Sequence, residues 1–254
     1  MQVKLSRKKI IPLILGLSGF IMILISEIIN QVQGSKILII AWLASILITI
    51  STFIMRFYSI NSNDFRDFIQ KTDPVQDRQL KPLRFSNWML IAMIVGLIAT
   101  IAIAFDFIIG MLIYLLMQIC LMIAFSGIIH IRPSIQLKDP NLRKVFLTSL
   151  IFWIIFIPVV FVVFVWNGAE SLIVVPYVIA IGLMACISWF GIGYTQRTKF
   201  FRYFIVAASS LFVFSDLLIG NARFGTINLE IYFLIDITYV LNILLMSHAQ
   251  LFLN

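Results

Sequence analysis

Eight stretches of this chain each stay apolar for about the 20 residues that a helix needs to cross the hydrocarbon core of a bilayer. They lie near residues 10–30, 37–57, 88–105, 107–129, 145–166, 170–194, 201–220 and 229–252. With 61% of its residues hydrophobic and 12% charged, a 254-residue soluble domain would have too little polar surface to cover itself. Lipid removes that demand but imposes another, since each backbone N–H and C=O must be satisfied inside the protein. The spans are therefore helices, because a barrel would show alternating segments of about ten residues instead. The expected fold is all-α: a multi-pass transmembrane bundle of about eight helices forming one domain over 1–254. Residues 58–87 form a polar linker with four aspartates, several basic residues, Pro74 and Pro82. It is too small for a core of its own but has room for an interfacial helix. The third and fourth spans are joined only by Phe105-Asp106-Phe107, which requires a tight hairpin or a re-entrant pair.

The basic residues orient the spans. Seventeen of the 19 lysines and arginines precede the first span or lie between spans two and three, four and five, and six and seven. Only Lys36 and Arg223 fall on the other side. The excess of basic residues in cytoplasmic loops puts both termini and the 58–87 linker in the cytoplasm, and the protein in the cell membrane. The net charge of +8 is thereby explained by orientation and anionic head groups, with no need for nucleic acid as a partner. Cys120 and Cys186 both fall inside apolar runs and suggest buried thiols, not a disulfide framework. The basic start followed by 20 apolar residues reads as a retained first helix, since no small-x-small cleavage site follows Asn30.

The chain has no GxSxG elbow, HExxH helix, Walker loop or complete GxGxxG. His130 and His248 fall at predicted cytoplasmic helix ends without a Cys or carboxylate cluster, so interfacial histidines are expected and no metal or cofactor is called for. Acids inside spans are the exception to the apolar pattern. Asp216 lies in span seven and Asp236 in span eight, both toward the outer half. An ionisable group at such depth is costly and marks a functional candidate. The 221–228 connection makes the two helices antiparallel neighbours, so the acids have the chance to approach. A pair of carboxyls removed from water can hold one proton between them, as acid–base chemistry needs. The plainer alternative is hydrogen bonding between helices or contact with interfacial water, which is the expectation for Glu27 and Asp106. Helical spacing adds Ser209 and Gly220 to the Asp216 face. It adds Tyr232, Tyr239 and Asn242 to that of Asp236, and groups Tyr177, Met184, Ser188 and Gly191 on span six. Small and polar stripes of this kind more often pack helices than form sites. Pro158 and Pro176 fall within spans and are expected to kink them.

The C-terminal third resembles the YhhN-like family of membrane lysoplasmalogenases. The resemblance is carried by Val175-Pro-Tyr177 with Met184-Ala185, by Ala207-Ala-Ser-Ser-Leu-Phe-Val-Phe-Ser-Asp-Leu-Leu-Ile-Gly220, by Asn221-Ala-Arg-Phe224 and by Thr238-Tyr239. It implies a bundle of about eight helices and hydrolysis of the vinyl-ether bond of a lysoplasmalogen, with a lysophospholipid as substrate and the bilayer as partner. Asp216 would be the central acid–base residue and Asp236 its possible partner. Tyr177, Ser215, Tyr239, Asn242 and Gln118 are the candidate substrate-binding residues, Gln118 standing where the family has histidine. The sequence departs from the family in Gly96-Leu-Ile-Ala-Thr-Ile-Ala-Ile-Ala-Phe105, which lacks the acid of a family Gly-Asp. Either Asp106 or Asp236 takes that place, or the chain is a lipid-binding or sensory membrane protein without the activity. The sequence does not set the oligomeric state.

Overall fold

A computed structural model describes residues 7–33, 38–61, 82–195, 197–224 and 232–252. All regular secondary structure among these residues is helical. The main helices are α1 (Arg7–Gln33), α2 (Leu38–Asn61), α3 (Pro82–Ala102) and α4 (Phe107–Phe125), then α5 (Pro140–Val160), α6 (Val175–Phe190), α7 (Lys199–Phe224) and α8 (Tyr232–His248). Seven of them, extended in places by adjoining turns, are long and apolar enough to cross a membrane. The remaining one, α2, carries a shorter apolar stretch over Trp42–Phe57. α2 runs on to Asn61 and α3 begins at Pro82, so both ends of the expected 58–87 linker are helical. Its centre, including any interfacial helix, lies outside the described residues.

The helices pair as hairpins, α1 with α2, α3 with α4 and α7 with α8, and α8 also lies against α1. Depth in the bundle differs sharply between helices. The span Phe233–Phe252 is 67% buried and Pro140–Val165 only 22%, which makes α8 central and α5 peripheral. On α5 and the turn that follows it, Ile154, Ile155, Val162 and Val163 are about 60% exposed, an apolar surface of the kind a helix presents to lipid or to another protein.

Local chemistry explains the boundaries. Asp106 has extended backbone, and its carboxylate accepts the Ile109 N–H at 2.8 Å, which starts α4 after only four residues have passed since the end of α3. Gly110 makes the turn possible, because a Cβ there would stand 2.5 Å from the Ile103 Cα. The junction is thus a tight helical hairpin. Asp139 caps α5 in the same way, followed by Pro140 in the first turn. Pro176 also sits in the first turn of its helix, so it starts α6 and does not kink a longer span; a 3-10 segment, Ala169–Val174, precedes it. Pro158 does lie inside a helix. One turn later α5 widens into a π-turn, Phe161–Val165, with the Trp166 N–H donating to the Phe161 carbonyl at 2.9 Å.

Both histidines lie at or just beyond helix ends and are buried within the protein. The His130 N–H donates to the Tyr194 hydroxyl at 2.8 Å. The His248 ring lies 3.1 Å from both Ser51 Oγ and the Pro12 carbonyl, tying α8 to α1 and α2. Because Pro12 is near the start of α1 and His248 ends α8, the first and last helices begin and finish at one end of the bundle. The cysteines are buried and free.

Candidate functional site

On α7, Val213, Asp216 and Gly220 follow one another at helical spacing and face inward. On α6, Tyr177 stands in the first turn. Their side chains meet, and the Tyr177 hydroxyl donates to Asp216 Oδ2. The pair opens into a partly enclosed cavity between α4, α5, α6 and α7. Apart from Asp216, Tyr177 and Tyr114, its walls are aliphatic, methionine, phenylalanine and glycine surface. Asp216 is the one charged residue among those that line it.

Three details shape the walls. Val165, at the end of the π-turn, projects toward α7, and a Cβ on Gly220 would come within 2.9 Å of it. The π-turn is held in register by Asn221, whose side-chain amide donates to the Phe164 carbonyl at 2.9 Å. Behind the cavity, the Thr100 hydroxyl lies 2.9 Å from the Tyr114 hydroxyl and 2.8 Å from that of Tyr239, and it donates to the Gly96 carbonyl at 2.9 Å. A threonine hydroxyl has one proton and two lone pairs, so with its proton on Gly96 it accepts from both tyrosines. The two rings meet edge to face at 5.8 Å.

The structure brings only some of the expected residues together. Asp216 and Tyr177 share the cavity. Gln118 is fully buried beside the Tyr177 hydroxyl, with neither amide atom bonded to protein. Tyr239 stands one layer back, in the Thr100 cluster. Ser215 points away from the cavity, donating to the Ile235 carbonyl of α8 at 3.2 Å and so fastening the α7–α8 hairpin. Asp236, half-buried on α8, does not line the cavity, and neither does Asn242, which is fully buried with an unbonded amide. The Asp216 carboxyl is thus engaged by a tyrosine within its cavity. Ser209 of the Asp216 stripe packs helices, pairing with Ser188 of α6. Among the described residues no three His, Cys, Asp or Glu side chains converge as a metal site would need.

Thr100 was not legible as part of this arrangement. It falls in the stretch where the resemblance calls for an acid, and its only signal is a polar residue four positions after Gly96 in a run, 88–102, that is otherwise apolar. Val165 carried no signal, because its role depends on a π-turn that the sequence does not announce.

The fold and the cavity define a polytopic membrane protein with an intramembrane carboxyl held by a tyrosine among apolar walls. Within that class, the chain belongs to the YhhN family, whose model matches residues 75–249, from the end of the polar linker through α8. No curated protein and no solved structure matches the chain significantly.

Proposed function

We propose that the chain is a membrane hydrolase of the lysoplasmalogenase type, cleaving the vinyl-ether bond of a single-chain phospholipid at Asp216. The observation that supports this most directly is the Asp216–Tyr177 contact inside an otherwise apolar cavity. A hydrocarbon chain is the ligand such walls favour, and the polar pair would meet the one functional group along it.

The chemistry needs one acid that gives and regains a proton. Asp216 in its acid form protonates the outer carbon of the enol ether, leaving an oxocarbenium ion and a carboxylate that accepts the Tyr177 O–H. Water adds to the cationic carbon and its proton passes to Asp216. The hemiacetal then breaks its bond to the glycerol oxygen, which takes the hydroxyl proton, and a fatty aldehyde departs. One water is consumed and Asp216 ends as it began. Tyr177 fixes the carboxyl orientation, and the apolar walls limit the water that reaches the cation. Asp236 is not needed for this balance.

The rival reading, a lipid-binding or sensory protein of the same fold, draws on the absence of an acid in Gly96–Phe105. Incubating purified protein with lysoplasmalogen and measuring aldehyde decides between them. Wild type is expected to release aldehyde. Asp216→Asn should lower the rate by about 10²–10⁴-fold, the usual worth of a general acid–base group. Absence of release by wild type, with ligand still bound, would establish the rival.

A further inference from the structure

Arg223 is out of place by the rule that orients the chain. It lies at the end of the bundle opposite the basic-rich loops, with only Lys36 for company in the sequence. Orientation therefore gives no reason for it. Its position in the structure does. Arg223 is exposed in the last turn of α7, and its guanidinium stands over the Phe107 ring, 5.3 Å from the centroid. Phe107 lines the cavity and also meets Phe224 edge-on at 5.9 Å. Arg223 thus stands against a wall residue of the cavity that holds Asp216.

Its geometry relative to Asp216 is set by the helix. Seven residues separate them, two turns along one face and about 10 Å of rise. Among the described residues no carboxylate pairs with Arg223. Asp106, next to Phe107 in the chain, is occupied in capping α4. The aromatic contact holds a planar, permanently charged fork of donors beside the cavity wall without using those donors, the arrangement that suits a phosphate. The cavity itself contains no cation, so a charged head group has no partner deeper inside.

We propose that Arg223 binds the phosphate of a single-chain phospholipid whose hydrocarbon chain occupies the cavity and whose glycerol spans the interval to Asp216. The assignment rests on the ligand class put forward above, but its test does not depend on turnover. Full-length protein in phosphate-free detergent is titrated with a saturated 1-alkyl lysophospholipid, which has no vinyl ether to cleave, and with the matching 1-alkylglycerol. Wild type should bind the phospholipid more tightly. Arg223→Gln should weaken phospholipid binding about tenfold or more, as loss of a charge-assisted contact does, and leave alkylglycerol binding unchanged. Arg223→Lys should keep part of the preference.

Equal affinity of wild type for both ligands, or equal weakening of both by Arg223→Gln, overturns the assignment. So does Arg223-dependent binding of inorganic phosphate without any preference between the lipids, which would make the site one for a free anion. Equal competition by a two-chain phospholipid would likewise reduce Arg223 to general contact with bilayer head groups. A protein that releases no aldehyde but discriminates in this assay keeps the phosphate site and loses only the hydrolase reading.

Discussion

At the scale of single residues, the site is one donor and one acceptor. Tyr177 has its hydroxyl on Asp216 and its ring in the cavity wall. Tyr177→Phe keeps the ring and removes the donor, so kinetics and folding should separate. Aldehyde release is expected to fall by roughly a hundredfold, as when one preorganised hydrogen-bond donor is deleted. Thermal unfolding in detergent should change by no more than about 1–2 kcal/mol. A large loss of stability with proportionate loss of activity would make Tyr177 a packing residue. Asp216 could be found in the sequence because a carboxyl in an apolar run is costly and therefore conspicuous. Tyr177 could be found because it began a stripe at helical spacing. Ser215 carried the same polar signal as its neighbour, yet one residue along a helix is a rotation of about 100°, and that turns it to α8. Asp236 and Asn242 were placed by the same periodicity, which gives a face but not the helix that the face meets.

At the scale of elements, each of the eight apolar runs overlaps one main helix, with ends that differ by up to six residues, because a run records apolar length and not where the helix is capped. What the runs left out are departures from regular helix. The π-turn at Phe161–Val165 is one, since a proline announces a disturbance but not its form. The start of α6 is another, where Pro176 serves as a first-turn residue. The α3–α4 hairpin is the most constrained junction. A side chain at Gly110 would run into the Ile103 backbone, which has no rotamer by which to yield. Gly110→Val is expected to destabilise the protein by about 3 kcal/mol, at the upper end for overpacking, and to disturb the cavity that Ile103 and Phe107 line. Thermal unfolding with a matched Gly193→Ala control, where a Leu142 side-chain tip is the nearest atom, checks this.

At the scale of the whole molecule, the alternation of basic loops agrees with the structure's pairing of ends. His248 meets Pro12, and the Arg56 side chain donates to Asn87 at 2.6 Å, which sets the start of α3 beside the end of α2. Labels at the C-terminus and within 62–81 should therefore report the same compartment, the cytoplasm, and a label at exposed Gly168 the opposite one. Accessibility of single introduced cysteines to an impermeant reagent in intact cells reads this directly, and a shared compartment for Gly168 and the C-terminus would break the topology. The placement of α5 has a further result. Ile157 and Val165 form part of the cavity wall, yet they belong to the helix that the rest of the protein covers least. On the proposed function this helix alone would stand between the ligand and the surrounding acyl chains on that side, so the fluidity and thickness of the host bilayer would become variables of the site. Occupancy measured in short-chain and long-chain lipid nanodiscs should differ even though no residue has changed.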